Sequence, residues 1–330
     1  MAGRYDRQLA LPQIGPEGQR RLAASRVLVV GVGGLGLPAA AWLAGAGVGQ
    51  ITLVDHDRVE LSNLHRQVLF TEVDLGSPKV VACARHLRAL NPEVRVVERP
   101  ERLAPGNVRA LVAAHDLVLD CADNFAATYL LSDHCRALGR PLVAASIAGS
   151  HGHLGVFCGG APSFRALFPL PPADAPDCAG AGVLGPAVGA LGLLMAQEAI
   201  KLAVDPAASL AGRLLVVDLW HTRTSLLDFR AAPEPEPAET VAILGTPELT
   251  PEDVLVDVRS PPERAADPVP GAVTAAPRQA ARAVFFCATG RRALAAAVRA
   301  LAETPGRPVG VWLRQPGEAP APLASPGACG

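Results

Sequence analysis

Short apolar runs alternate with amphipathic stretches of helical period along most of the first 150 residues. The runs are rich in Val, Ile and Leu, a composition typical of buried parallel strands. The predicted strands cover residues 26–30, 51–54, 94–97, 117–120 and 142–146, and the predicted helices cover residues 16–24, 36–46, 78–90, 107–114 and 124–138. Repeated βα units of this kind predict a Rossmann-like, mostly parallel α/β sheet with helices on both faces.

The later apolar runs predict a change of architecture along the chain. Runs at residues 154–158, 214–219 and 224–229 predict antiparallel strands at one edge of the sheet. Residues 231–247 begin with a stretch rich in Pro and Glu, which predicts an extended linker. We therefore expect a first domain at residues 1–230 and a small α/β domain at residues 248–330. Its predicted elements are strands at 254–258, 284–286 and 309–313, a helix at 291–302 and a short helix starting at Thr250.

The first predicted strand runs directly into a glycine-rich turn and a helix. Gly31, Gly33, Gly34 and Gly36 allow a tight turn and a close approach of the backbone to a ligand. The following helix N-terminus presents free N–H groups and a partial positive charge to phosphates. Asp55 ends the second strand about 20 residues on, where an acid can bind a ribose hydroxyl. The combination predicts a nucleotide site but does not identify the nucleotide.

Composition narrows the class of protein. The net charge is −1, so the sequence provides no basic field for nucleic acid or an anionic membrane. Seven scattered cysteines without a C-x-x-C pair suit a reducing compartment, and we expect a cytoplasmic protein. The uncharged stretch at residues 179–196 is interrupted by Pro186 and several glycines, and it is interpreted as a buried helix rather than a membrane span.

Charged residues around the predicted strand ends suggest a chemistry. Arg7, Arg66 and Lys79 flank this edge, and Lys79 is one of two lysines in a chain that otherwise uses arginine. Each alone would be a solvated surface charge, but together they would suit a polyphosphate. Asp123 with Asn124 follows a strand end and could hold Mg²⁺ through oxygen ligands. An NAD-dependent oxidoreductase, which needs only the glycine turn and Asp55, remains an alternative.

Seven segments of residues 4–230 resemble the MoeB/ThiF family, whose members are relatives of ubiquitin-activating enzymes. They are RYDRQ (4–8), GVGGLG (31–36), LVDHD (53–57), SNLHRQ (62–67), GSPKV (76–80), CADN (121–124) and CAGAGVLGP (178–186). The resemblance implies adenylation, with ATP and Mg²⁺, of the C-terminal glycine of a ubiquitin-like sulfur carrier ending in Gly-Gly. A carrier-binding scaffold without catalysis is the other alternative.

The resemblance also implies roles for individual residues. Gly34 and its neighbours would cradle the nucleotide and Asp55 would bind the ribose, while Asn63, Arg66 and Lys79 would hold the phosphates. Asp123 with Asn124 would position Mg²⁺. Because the family is dimeric, Arg7 would reach into the site of a partner subunit.

The cysteines of this chain match the MoeB/ThiF pattern at one position and depart from it at another. Cys178 matches a family cysteine that forms a covalent bond to the carrier in some members and is dispensable in others. Many members hold zinc with two C-x-x-C pairs, but residues 163–166 read SFRA and no cysteine lies between residues 179 and 286. Four thiolates are missing, so we expect no zinc site, with the segment held by Phe164, Leu167 and Phe168.

The C-terminal domain resembles a shortened rhodanese-like domain. VDVR (256–259), Glu263 and VPGA (269–272) resemble its entry motif, and CATGRR (287–292) resembles its active-site loop. In that loop, backbone N–H groups and arginine cradle a cysteine persulfide. Cys287 is therefore expected either to transfer sulfur, with a cysteine desulfurase as a donor, or to belong to a degenerate domain retained for packing or carrier docking.

Overall fold

The computed structural model describes residues 3–171, 182–277, 280–314 and 318. The described residues form twelve strands: β1 Arg26–Val30, β2 Gln50–Val54, β3 Arg95–Arg99, β4 Leu117–Asp120, β5 Pro141–Ala148, β6 His151–Cys158, β7 Arg213–Asp218, β8 Arg223–Asp228, β9 Val241–Leu244, β10 Asp253–Asp257, β11 Arg282–Phe286 and β12 Val309–Trp312. The α-helices are α1 Asp6–Leu9, α2 Gly15–Ala24, α3 Gly36–Ala46, α4 Lys79–Leu90, α5 Pro105–Ala113, α6 Phe125–Ala137, α7 Phe164–Leu167, α8 Gly185–Val204, α9 Pro261–Ala266 and α10 Arg291–Glu303.

The larger sheet has eight strands in the order β3-β2-β1-β4-β5-β6-β7-β8. Strands β1 to β5 pair in parallel, whereas β6, β7 and β8 are added as antiparallel neighbours. The predicted Rossmann-like sheet with antiparallel edge strands is confirmed. Because parallel strands end at a common edge, the ends of β1, β2 and β4 bring the glycine turn, Asp55 and the turn after Asp120 to one side of the sheet.

The smaller sheet has four parallel strands in the order β10-β11-β12-β9. Strand β9 was not predicted, and it lies inside residues 231–247, the segment expected to be a linker. The short helix predicted to start at Thr250 is wrong: a 3₁₀ turn covers Thr246–Glu248, and residues 251–252 form a turn before β10. Helix α9 was also not predicted.

Two large apolar cores cover the two faces of the main sheet. The first packs α3, α4 and α8 against one face, with Leu43, Leu87 and Leu191 among its fully buried members. The second contains residues of α5 and α6 on the other face and continues without a break into β9, β11 and α10 of the C-terminal domain. The two domains therefore share a core.

Helix α8 is long and apolar enough to span a membrane by length and composition, but half of its apolar window is buried inside the protein. Its contacts are with α2, α3 and strands β4 to β6. It therefore serves as a core helix of the first domain, as the interrupted apolar stretch in the sequence suggested.

Candidate functional site

The glycine turn after β1 is closely packed at two positions. Gly31 has a φ of +89°, and a Cβ there would lie 2.5 Å from the carbonyl oxygen of Cys121. A Cβ on Gly36 would lie 1.9 Å from the carbonyl oxygen of Gly31. The N–H group of Val32 donates a hydrogen bond of 2.7 Å to Oδ2 of Asp55. The turn and the acid at the end of β2 are thus directly joined, in the arrangement predicted for a nucleotide cradle.

Lys79 lies at the start of α4 and is only 7% exposed. Its Nζ donates a hydrogen bond of 2.9 Å to Oδ2 of Asp57, two residues beyond Asp55. Burial opposes the ionisation of Asp57, but the hydrogen bond and charge of Lys79, with the charges of His56 and Arg102, outweigh it and lower the pKa of Asp57. The nearly buried Lys79 side chain is therefore held by Asp57, two residues beyond the predicted ribose acid Asp55.

The loop at residues 61–67 contains Asn63 and Arg66, two residues of the predicted phosphate site. Asn63 is buried, and its Oδ1 accepts the N–H of Glu60 at 3.2 Å. The backbone of Arg66 lies over the glycine turn, since a Cβ on Gly34 would be 3.6 Å from its carbonyl oxygen. The guanidinium of Arg66 instead folds onto its own loop, donating to the carbonyl oxygen of Ser62 at 2.9 Å.

Gln67, at the end of the same loop, was not singled out from the sequence. It is 2% exposed, and its Oε1 accepts no hydrogen bond from the described residues. A Cβ on Gly33 would lie 3.7 Å from its Nε2, so the amide lies against the glycine turn. A buried amide oxygen without a partner costs stability until a ligand or water satisfies it, which fits a polar ligand in the cradle.

Two carboxylates with different surroundings lie at the end of β4 and in the turn that follows it. Asp120 is 2% exposed, and burial raises its pKa to about 6, against the opposing hydrogen bonds from Thr128 and the N–H of Ala122. Asp123 is exposed and its negative charge adds to that rise. Asn124 caps α6, because its Oδ1 accepts the N–H of Ala127 at 2.9 Å. Among the described residues, the Asp123 carboxylate has no hydrogen-bond partner, so its oxygen atoms are available to a metal ion.

One other group of side chains in the described part of the chain could bind a metal ion. The ligand atoms of Asp55, His56 and Asp57 lie within 4.8 Å of one another. Both carboxylates are already engaged, Asp55 by the N–H of Val32 and Asp57 by Lys79. We therefore keep Asp123 as the predicted magnesium ligand.

Two predicted site residues are not brought to this edge by the described chain. Arg7 lies exposed on α1, which is anchored by Tyr5 packing on Gly47 at the end of α3. Its predicted role in the site of a partner subunit stays a prediction. Cys178 lies outside the described residues.

A polar cluster occupies the place where many family members have the first zinc-binding pair. The carboxylate of Glu234 accepts hydrogen bonds from the N–H and the Oγ of Ser163, at 2.7 and 2.6 Å. Arg165 pairs with Asp133 at 2.6 Å and donates to the carbonyl oxygen of Val241 in β9. Such charge-assisted bonds are worth roughly 1.5–3 kcal/mol each, enough to hold the segment without thiolates. The absence of zinc stays a prediction.

The apolar packing expected for this segment is present. Phe164 is buried and packs edge-on against Tyr129 and Phe157, with ring centroids 5.5 and 5.2 Å apart. Phe168 tilts against Phe164 at 4.9 Å, and Leu167 packs against the same core. The prediction that these three side chains hold the segment is consistent with the observed contacts.

In the C-terminal domain, Cys287 follows β11 and is 2% exposed. Arg292 donates two hydrogen bonds to Glu263, at 2.9 and 2.6 Å, and these bonds, with a smaller contribution from Cys287, outweigh burial and raise the pKa of Arg292. Gly290 has a φ of +85° and precedes α10. Strand, cysteine loop and helix therefore follow one another as the sequence predicted.

Comparisons with known proteins agree with this geometry. The sequence profile of the ThiF family matches residues 5–240. A relative from Thermus thermophilus named sulfur carrier protein adenylyltransferase is 45% identical over 238 residues, which are 70% of this chain and 88% of that protein. The SAMP-activating enzyme E1 of Haloferax volcanii is 44% identical over 233 residues, covering 70% of this chain and 86% of that enzyme.

Two more comparisons bear on length and fold. Adenylyltransferase and sulfurtransferase MOCS3 of Bos taurus is 50% identical over 218 residues, which are 65% of this chain and 48% of MOCS3, so the match spans about half the length of that relative. A crystal structure of E. coli MccB with MccA-N7isoASN gives a TM-score of 0.61 at 20% identity, covering 69% of this chain and 72% of that one. At this identity the likeness shows the fold.

Proposed function

The chain belongs to the ThiF family, and we propose that it adenylates the C-terminal glycine of a ubiquitin-like sulfur carrier protein ending in Gly-Gly, using ATP. One observation carries the proposal: the nearly buried Lys79 stands beside Asp57, next to the Asp55 carboxylate that is bonded to the glycine turn. A dinucleotide oxidoreductase would not need this cation. The names of the relatives from Thermus thermophilus and Haloferax volcanii support the same activity.

Each residue of the candidate site would bind a different part of ATP. The amides of the glycine turn and the start of α3 would bind phosphate oxygens, and Asp55 the ribose hydroxyls. The unsatisfied Gln67 Oε1 fits a polar ligand in the same cradle. Lys79, Asn63 and Arg66 would hold the triphosphate, for which the guanidinium of Arg66 must turn away from Ser62. Asp123 would hold Mg²⁺, which when bound neutralises phosphate charge.

The reaction brings two anions together. A carboxylate oxygen of the carrier's terminal glycine attacks the α-phosphorus, the bond from that phosphorus to its bridging oxygen breaks, and pyrophosphate leaves with the electron pair. Because attacking and leaving groups are both negative, positioned cations are the main contribution that the protein can make. The product is an acyl-adenylate prepared for sulfur transfer.

The test is to incubate the protein with ATP, Mg²⁺ and purified sulfur carriers of the molybdopterin, thiamine or tRNA-thiolation pathways. The masses of the carriers are then measured by mass spectrometry. We expect one carrier to gain the mass of AMP, and the same carrier lacking its last glycine to gain none. If ATP and a carrier both bind but no carrier is adenylated, the chain is a carrier-binding scaffold. If NAD binds and ATP does not, it is an oxidoreductase.

We propose a homodimer in which Arg7 enters the partner's site. Three helices that pack side by side on one face of the main sheet expose large apolar side chains, among them Trp42 on α3, Val81 on α4 and Leu193 and Leu194 on α8. Exposed large apolar side chains on neighbouring helices are typical of an interaction surface. Sedimentation at the mass of a monomer at micromolar concentration would contradict the dimer.

A second activity is favoured by the surroundings of Cys287. The charge of Arg292, whose guanidinium is held by Glu263 at 2.6 Å, would favour a persulfide anion on Cys287. The Cys287 thiolate would take the outer sulfur of thiosulfate with release of sulfite, and cyanide would then remove that sulfur as thiocyanate. In the cell we propose a cysteine desulfurase as the donor and the reducing cytoplasm as the location.

The expected result is thiocyanate formation by the wild type and a loss to background in Cys287→Ala. Cys83→Ala, which removes a buried thiol of α4, serves as the control and should keep the rate of the folded protein. Equal background rates in wild type and Cys287→Ala would indicate a degenerate domain that is retained for packing or carrier docking.

A further inference from the structure

The loop at residues 287–290, called here the cysteine loop, is fastened to the first domain by one side chain. Nη1 of Arg102 donates to the carbonyl oxygen of Ala288 at 3.0 Å, and Nη2 donates to that of Thr289 at 2.9 Å. Arg102 lies in the connection between β3 and α5, just beyond the end of β3. The guanidinium therefore bridges the carboxyl edge of the main sheet and the loop that follows Cys287.

The other end of the cysteine loop reaches the first turn of α6. A Cβ on Gly290 would lie 3.5 Å from the Cβ of Ala126, three residues after Asp123. In the strand order β3-β2-β1-β4, the ends of β2 and β1 lie between these two anchoring points. The cysteine loop therefore lies along the edge where Asp55 and the glycine turn meet, on the side of α5 and α6.

The position of a bound nucleotide follows from the same order. Phosphates belong at the glycine turn after β1 and the ribose at Asp55 after β2, so the base extends further toward the end of β3. Arg102 marks that end, and its charge is close enough to contribute to the lowered pKa of Asp57. The base would thus lie nearest to the cysteine loop.

We propose that the cysteine loop forms the outer wall of the nucleotide site on the side of the base, latched there by Arg102, so that a bound nucleotide shields Cys287. The proposal rests on the proposed function, since it takes ATP as the ligand. Cys287 is 2% exposed, so a reagent reaches its thiol only when the loop opens. A nucleotide that contacts the closed loop adds its contact energy to the cost of opening, and the closed loop strengthens nucleotide binding by the same factor.

The test measures alkylation of Cys287 by iodoacetamide, followed by peptide mass mapping, with and without a saturating ATP analogue that carries a methylene group between the α and β phosphorus atoms. We expect the nucleotide to slow alkylation at Cys287 by about tenfold, the effect of one or two lost contacts. Calorimetry on the same preparation records whether the analogue binds. If the analogue binds and the alkylation rate is unchanged, the proposal that the cysteine loop forms a wall of the nucleotide site is wrong. If the analogue does not bind, both that proposal and the proposed function are wrong.

Arg102→Ala tests the latch. Loss of two charge-assisted bonds to carbonyl oxygens should raise alkylation without nucleotide by about tenfold or more and weaken binding of the analogue. Arg99→Ala is the matched control, because Arg99 lies near the same strand end and pairs with Glu101 at 3.8 Å. Equal alkylation rates in Arg102→Ala and Arg99→Ala would overturn the latch. Arg102→Lys retains one charged donor group and should give an alkylation rate between those of the wild type and Arg102→Ala. This conservative variant separates loss of the latch from misfolding.

Discussion

Replacing Lys79 with alanine is expected to lower carrier-dependent exchange of pyrophosphate into ATP by roughly 10²–10³-fold, the usual cost of losing one positioned charge donor. Lys79 is the nearly buried cation beside the cradle, and its loss also leaves the Asp57 carboxylate unpaired next to the triphosphate. The loss should appear in kcat, because the charge on the phosphates grows as pyrophosphate leaves and Lys79 therefore stabilises the transition state most.

The control for this variant is the other lysine of the chain. Lys201 on α8 pairs with Glu198 at 2.6 Å, and Lys201→Ala removes an ammonium of the same kind away from the strand ends. Its exchange rate per folded molecule should equal that of the wild type. Lys79→Arg distinguishes charge from geometry, because a planar guanidinium keeps the charge but not the compact ammonium that donates to Asp57. Wild-type exchange by Lys79→Ala would refute the assignment of Lys79 to the phosphates.

Replacing Asp123 with alanine should also lower carrier-dependent exchange at ordinary magnesium concentrations, by roughly 10²-fold or more. Asp123 is the exposed carboxylate of the turn after β4, whereas Asn124 is committed to capping α6 and Asp120 is buried. No neighbour in this turn is therefore placed to replace its oxygen atoms. The diagnostic result is a rise in the Mg²⁺ concentration that gives half of the maximal rate.

Asp205→Ala provides the comparison for Asp123, since Asp205 is an exposed aspartate after α8, away from the glycine turn. It should leave both the rate and the Mg²⁺ dependence unchanged. If Asp123→Ala exchanges pyrophosphate with an unchanged Mg²⁺ dependence, the metal lies elsewhere, and the group formed by Asp55, His56 and Asp57 becomes the next site to test.

The main sheet was predictable because its strands are buried on both faces and therefore appear as unbroken apolar runs. Strands β1 and β4 were predicted to the residue, and β2 within one residue of its start. Strand β9 was missed because its four residues follow directly on a stretch rich in Pro and Glu, which resembles a linker. The helix predicted at Thr250 failed because Thr-Pro-Glu is also a good sequence for a turn.

The sequence predicted the site residues that belong to motifs, but not the contacts between residues far apart in the chain. The motifs placed Asp55, Lys79 and Asp123 near the strand ends, and the topology follows that expectation. The pairing of Lys79 with Asp57 joins residues 22 positions apart, so no local pattern could show it. Gln67 stands in the SNLHRQ segment, and a polar residue in a motif was the available signal. Arg102 carried no signal, because its partners are backbone carbonyl groups of another domain.

The continuous apolar core shared by the two domains has a consequence for how the protein melts. Val112 and Leu131 of the first domain and Val241, Leu294 and Val298 of the second belong to the same buried cluster. Loss of either half would uncover the apolar side of the other, so the two sheets should denature in one cooperative transition instead of two separate steps. A fragment cut at the Pro-rich stretch would be prone to aggregation, even though that stretch resembles a natural place to divide the chain.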